Sequence, residues 1–297
     1  MRTLKVTLAL ITRENDYQRE QASVAEATAR RLGIQLQVIY AGNDAIAQTK
    51  QILDAVNAPA NERPHAIIVE PVGTGMLGVA GAAVGNGVAW MVLNREADYL
   101  ASLRSGTAVP IGSMVCDNVE VGRIQGRQFA ALLPSGGTVL YIEGPPTDVS
   151  RQRRAGLTET LPANIKIKAI RGDWTEESAI RIVAPWLPRQ GSRPTALGLI
   201  GCQNDAMAMG ARKAGDALAT ASDREYWLRL PFTGVDGVSS SGQRWVQEGL
   251  LAATVVIPAL TGAALELLAN TLTSDTPLPP HTVTPVTSFP PIEQLTS

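Results

Sequence analysis

The apolar positions of this chain fall into short continuous runs, and between the runs they recur every three or four residues. A continuous run of four to eight apolar residues suits a strand buried on both faces, and the longer spacing suits a helix with one buried stripe. The runs predict strands at Leu4 to Ile11, Gln35 to Tyr40, Ala66 to Val69, Val88 to Leu93, Thr138 to Ile142, Ile165 to Ile170, Ala196 to Gly201, Phe232 to Val235 and Ala253 to Val256. Between the first two, Ala22, Ala25, Ala29 and Leu32 keep helical spacing, and Gly33 sits where a helix C-terminus favours glycine. Ile46, Ile52, Leu53 and Val56 mark a second helix. Repeats of about thirty residues are the size of a βαβ unit, so the pattern predicts an α/β protein with parallel sheets covered by helices on both faces.

The texture changes between Ala97 and Gly112, where Ser102, Ser105, Gly106 and Pro110 mark an irregular connection before Ser113, Met114 and Val115. A first domain crossing is expected there. Thr273 to Pro291 is rich in Pro, Thr and Ser; its Val283, Val286 and Phe289 nevertheless leave room for an edge strand.

A length of 297 residues favours two compact domains. Twenty-six basic against 27 acidic residues, a formal net charge of −1, leave no surplus for a phosphate backbone or an anionic membrane, so no nucleic-acid partner is expected. Gly, Asp, Arg and Pro interrupt every apolar run before the roughly 18 residues of a membrane span, which predicts a soluble product. Met1 to Thr12 lacks the apolar core and small-residue cleavage site of a signal peptide and reads as a first strand. Cys116 and Cys202 could form one bridge but suit two buried thiols, and nothing in their spacing suggests a metal site.

Gly73-Thr74-Gly75-Met76-Leu77-Gly78 follows a strand and opens a helix, the context of a dinucleotide loop, with Glu96 near the place of a ribose-binding acid. Two strand-helix units precede it, however, and Glu70-Pro71 stiffens the turn. Close packing of a small-residue helix with Gly81, Ala82, Ala83 and Gly85 is the preferred explanation for the glycines.

Three polar clusters end strands, where open α/β sheets bind ligands: Asn94-Arg95, Gln203-Asn204-Asp205 and Asp236. Their amides, carboxylates and guanidinium suit adjacent hydroxyls. The plainer alternative is helix capping, by Asn204 or Asp205 and by Asp117. Aromatics make up only 4% of the chain, so Tyr17 and Trp174 beside strand ends become candidate ring-stacking faces, with core packing the alternative for Trp174. His65 and His281 are the only histidines and neither belongs to a recognisable catalytic arrangement, so both are expected to be structural or solvated. No enzyme activity, cofactor or metal is expected.

Taken in order, Cys116-Asp117-Asn118 with Gly122, Arg151 to Leu157, Gly172-Asp173-Trp174, Gln203 to Ala211, Gly234-Val235-Asp236-Gly237, and Ala253-Thr254-Val255 before Pro258 resemble the periplasmic sugar-binding proteins of the ribose/galactose type. These share their fold with the effector domains of lactose-repressor-family regulators. The resemblance covers nearly the whole chain. It implies two similar doubly wound, Rossmann-like domains joined by a three-crossing hinge with a ligand cleft between them. The crossings would lie near Val115, Ile257 and Pro280, giving lobes of residues 1–114 plus 257–279 and 115–256 plus 280–297, with the tail returning to the second lobe as a strand. Carried over by position, the ligand contacts are Asn15 and Tyr17 at the family's Asn-Pro-Phe-Phe stretch, Asn94 and Arg95 at its Asp-Arg pair, and Arg153 at its Arg-x-x-Gly-Phe segment. Trp174 takes the second aromatic wall, and Asn204 and Asp236 are the second lobe's amide and carboxylate. Asp16, Gln18, Asn94, Glu70 and Ile257 depart from the family's residues, which alters the hydroxyl pattern read, and Glu70 joins the candidate contacts.

The function implied is capture of a monosaccharide or related polyol for an ABC transporter, by a monomeric periplasmic or extracytoplasmic protein whose partner is a membrane permease. A ligand-sensing regulator is the first alternative, weakened because no helix-turn-helix segment precedes Leu4. A nicotinamide-dependent oxidoreductase using the Gly73 loop is the second. The sugar reading requires that Asn15, Arg95, Arg153, Trp174, Asn204 and Asp236 converge on a shared crevice.

Overall fold

The computed structural model of the chain describes residues 3–185, 197–218, 220–274 and 276–295. Contacts divide it into two units, Met1–Cys116 with Ala259–Thr284 and Asp117–Pro258 with Pro285–Ser297, so the chain passes between them three times.

Unit 1 holds a six-stranded sheet ordered β2-β1-β3-β4-β5-β11, built from β1 (Lys5–Leu10), β2 (Gln35–Tyr40), β3 (Ala66–Val69), β4 (Ala89–Leu93), β5 (Ile111–Cys116) and β11 (Thr282–Thr284). All its pairings are parallel. Val6, Leu8 and Leu10 face α1 (Asp16–Leu32) through Ala22, Ala25 and Ala29. The opposite face packs Ala9, Ile67, Val69 and Trp90 against α2 (Ala45–Val56) and α3 (Leu77–Gly85). Burial on both sides explains why these strands read as unbroken apolar runs. A short α4 (Tyr99–Arg104) leads back toward β5.

Unit 2 repeats the plan, β7-β6-β8-β9-β10-β12, from β6 (Gly137–Glu143), β7 (Ile165–Arg171), β8 (Leu197–Cys202), β9 (Phe232–Asp236), β10 (Ala253–Val256) and β12 (Thr287–Phe289). Five strands run parallel and β12 is antiparallel to β10. Phe129 of α5 (Asn118–Leu132) and Leu157 of α6 (Asp148–Thr160) cover Val139, Tyr141 and Leu199. Leu140, Ile142, Ile200 and Cys202 pack on the other face against α7 (Glu176–Val183) and α8 (Asp205–Asp216). Helices α9 (Ala221–Arg229) and α10 (Arg244–Gln247) also belong to this unit, and α11 (Leu260–Ser274) returns to unit 1 beside α1.

Three expectations change. Ile111–Cys116 is a buried strand, although Gly112 and Ser113 break its apolar run. The third crossing falls after Thr284 and not near Pro280, because Thr282, Val283 and Thr284 pair with Met114, Val115 and Cys116. The tail therefore supplies an edge strand to each sheet. The glycines at 73, 75, 78, 81 and 85 are not demanded by packing, since a Cβ at any of them would meet nothing within 4 Å. Among them only Gly73, at φ +80°, occupies a backbone conformation that favours glycine. The predicted strand start at Ala196 lies outside the described residues.

Both cysteines are buried and neither is in a disulfide, Cys116 in unit 1 and Cys202 in unit 2. Each histidine is held structurally: His65 Nδ1 accepts from the Lys5 amide at 2.9 Å, and His281 Nδ1 lies 2.9 Å from Ser113 Oγ. Among the described residues no helix is long and apolar enough to cross a membrane, and no group of acidic, His and Cys side chains could hold a metal ion.

Candidate functional site

In each sheet the strand order reverses once, between β1 and β3 in unit 1 and between β6 and β8 in unit 2. Outside the carboxyl ends of such strands the flanking loops diverge and leave a crevice. The candidate residues of unit 1 gather at this edge. Asn15 caps α1, its Oδ1 accepting from the amides of Tyr17 at 2.8 Å and Gln18 at 3.3 Å. Tyr17 donates its hydroxyl to Asn94 Oδ1 at 3.3 Å, which joins the start of α1 to the end of β4.

Asn94 itself takes φ +60°, a left-handed conformation that Asn tolerates better than most residues and that turns its side chain out of the strand. Glu70, directly after β3, is 8% exposed and accepts from Gln18 Nε2 at 2.7 Å. Burial pushes its carboxyl above the usual range, while hydrogen bonds from Gln18 and Asn94 and the nearby Arg95 charge oppose the rise. Arg95 donates to the Gly73 carbonyl, so the glycine loop is tied to the end of β4.

Unit 2 gathers its candidates at the corresponding edge. Arg153, on α6 and 6% exposed, donates through Nε to Asn118 Oδ1 at 3.0 Å and through a terminal nitrogen to the Gln203 carbonyl. Its guanidinium also lies over the Trp174 ring, 5.6 Å from the centroid. Trp174 is half-buried at φ +75°, which costs a bulky residue of order 1–3 kcal/mol and persists only where neighbours impose it. Three do: Asn204 Nδ2 donates to the Trp174 carbonyl at 2.9 Å, Arg153 covers the ring, and Gly144 leaves the space the ring occupies. A Cβ at Gly144 would come within 2.2 Å of the indole.

Asn204 also caps α8, accepting from the Met207 amide at 3.0 Å, so this capping alternative holds as well. Asp117 caps α5 through the Glu120 amide. Asp205 is no cap. It accepts from the Gly237 amide at 2.8 Å and the Thr254 hydroxyl at 2.7 Å, tying α8 to the end of β9 and to β10. Gly234 and Gly242 make room for it, since a Cβ at either would lie 2.0 Å from a carboxylate oxygen. Burial, then the neighbouring Asp236 charge, hold the Asp205 carboxyl well above its ordinary value. Asp236 ends β9 at φ +107°.

The structure therefore brings Asn15, Tyr17, Glu70, Asn94 and Arg95 together in unit 1, and Arg153, Trp174, Asn204 and Asp236 together in unit 2. Sequence reasoning missed the parts played by Gln18, Asn118, Gly144 and Asp205. Gln18, Asn118 and Asp205 stood among the quoted residues without these parts being assigned to them, and Gly144 carried no signal.

A polar cluster with an aromatic at each of two matching switch points is what an α/β ligand-binding protein presents. A model of the periplasmic binding protein domain matches residues 6–273, and the chain belongs to that family. Among curated proteins it is similar to a D-apiose import binding protein of Paraburkholderia graminis, 24% identical over 263 residues that cover 86% of this chain and 77% of that protein. Among solved structures it resembles an ABC transporter periplasmic solute-binding protein from Actinobacillus succinogenes with bound D-allose, at TM-score 0.82 and 22% identity, covering 99% of both chains. A Caulobacter myo-inositol binding protein bound to myo-inositol matches at TM-score 0.77 and 23% identity, over 96% of this chain and 92% of that one. The two structures share the fold with this chain.

Proposed function

We propose that the chain is an extracytoplasmic solute-binding protein, acting as a monomer, that captures a monosaccharide or related polyol with its two strand-end clusters and delivers it to the membrane permease of an ABC transporter. The observation that carries this reading is the matched pair of clusters, each joining an aromatic side chain to amide, carboxylate and guanidinium groups at a switch point. Hydroxyl-rich rings need both kinds of contact, apolar for the C–H face and directional for the rim. The names and bound ligands of the similar proteins, D-apiose, D-allose and myo-inositol, fall in the same chemical class.

Thermal unfolding with D-apiose, D-allose, myo-inositol and NAD tests the reading. A ligand of the native state present at a hundredfold excess over its Kd stabilises by about 2.7 kcal/mol, a rise of roughly 4 °C in a protein of this size. At least one polyol is expected to give that rise and NAD none. A shift with NAD alone would overturn the proposal.

A further inference from the structure

We propose that Gln18 is a positioning residue that fixes Glu70 as a hydrogen-bond acceptor for the ligand, so that the bound sugar is selected for a hydroxyl at the position meeting this carboxyl group. The inference rests on the sugar-binding reading above and deepens it.

The argument starts from the direction of each hydrogen bond. Gln18 is 4% exposed, and its Oε1 lies 3.0 Å from the amide nitrogen of Ile11, a group that can only donate. The side-chain carbonyl must therefore face Ile11, which leaves the NH2 end pointed at Glu70 Oε2, 2.7 Å away. Asn94 is set by its two partners together: its contact with Glu70 favours the carboxylate, as a donor does, so its NH2 group faces the acid and its Oδ1 is left to accept from the Tyr17 hydroxyl.

Two amides thus converge as donors on one buried carboxyl group. Pro71 follows Glu70 and brings no N–H, so the adjacent backbone position cannot supply a donor in their place. Arg95, the cation acting on Glu70, commits a nitrogen to the Gly73 carbonyl and favours the carboxylate through its charge. Among the described residues, Arg95 after β4 is the charged group that acts on this acid, and the Tyr17 hydroxyl on α1 meets it through Asn94.

A carboxylate has about four lone-pair directions, and two amide donors leave some of them open. A ligand hydroxyl donating there satisfies the acid, whereas a deoxy analogue leaves it unpaired in a desolvated site. Gln18 makes no contact with the ligand in this scheme. It acts by holding Glu70 still.

The test uses the intact chain, titrated calorimetrically with D-apiose, D-allose and myo-inositol between pH 5 and pH 8, in wild type, Gln18→Glu, Glu70→Gln and the exchanged double variant. In Gln18→Glu two carboxyl groups meet across the short contact and must share a proton, so affinity is expected to fall by about tenfold at pH 8 and recover toward pH 5. The exchange of both residues restores one amide and one acid with every donor and acceptor matched. Its melting temperature is expected to return toward wild type while affinity stays about tenfold down, because the acid now sits on the helix and no longer at the strand end.

Wild-type affinity and ligand order in the exchanged variant would overturn the inference and reduce the pair to a structural contact. Affinity of Gln18→Glu that does not vary with pH would do the same. If none of the three compounds binds wild type, the functional reading itself falls and takes this inference with it.

Discussion

Each unit buries one acid beside its switch point, and the two acids are held in different ways. In unit 1 Glu70 follows β3 and meets side-chain amides, Gln18 from α1 and Asn94 from the end of β4. In unit 2 Asp205 lies just beyond β8, the strand that matches β3 in sheet order, and meets a backbone amide and a hydroxyl inside a space kept open by Gly234 and Gly242. The partners of Glu70 are side chains that leave part of its carboxyl group open, whereas those of Asp205 belong to the end of β9 and to β10. On the proposed function, equivalent places in one repeated plan take separate tasks, contact in unit 1 and bracing in unit 2. The bracing extends to Asp236, whose successor Gly237 supplies the amide that Asp205 holds. Asn94 and Asp236, at the matched ends of β4 and β9, both sit at positive φ, so the backbone turns sharply at both places even though the acids differ.

The sharpest way to break this comparison is Asp205→Ala, which strands a buried amide and a buried hydroxyl and is expected to cost about 3 kcal/mol in urea unfolding. Glu70→Ala should cost only about 1 kcal/mol of stability but lower sugar affinity at least about tenfold by calorimetry. If the two variants lose equal stability, the division of tasks fails.

Asn204→Ala removes both the α8 cap and the donor to the Trp174 carbonyl, an expected loss of about 2 kcal/mol with a change in tryptophan emission. Asn15→Ala, which removes a cap alone, should cost about 1 kcal/mol.

The smallest effect is on pH. Both acids keep their proton to a higher pH in the folded chain than in the unfolded one, from ordinary values of 3.8 for Asp205 and 4.5 for Glu70. In that window the folded state binds more protons, so stability declines as pH rises from the ordinary value through the raised one. Asp205→Asn and Glu70→Gln should each flatten part of that decline in unfolding free energies measured from pH 4 to pH 8.

Much of this architecture could be read from the chain because parallel strands covered on both faces announce themselves as apolar runs. Ala66 to Val69 and Ala253 to Val256 match the observed strands end for end. Strand β5 escaped notice for a non-local reason. Gly112 is small because the tail runs over it, a Cβ there lying 2.9 Å from the Pro279 carbonyl, and the Ser113 amide donates to the Pro280 carbonyl. Neither partner is visible in a window around residue 112.

The candidate clusters were legible where a polar residue ends a strand, as with Asn94 and Asp236. It was opaque where the decisive partner sits elsewhere, since Gln18 reads as an ordinary helix residue until Glu70, 52 positions later, is placed beside it. Asp205 likewise reads as a cap until Thr254 and Gly237 come into contact with it.

The divided segment has a bearing on misfolding. Three residues near its start finish one sheet and three more finish the other, and both triplets lie within the eight consecutive positions 282–289. A chain in which that segment is undocked displays two sheets that each lack a border strand, with β5 and β10 open to wrong partners. One short deletion there would leave two raw edges where a deletion in a single-sheet protein leaves one.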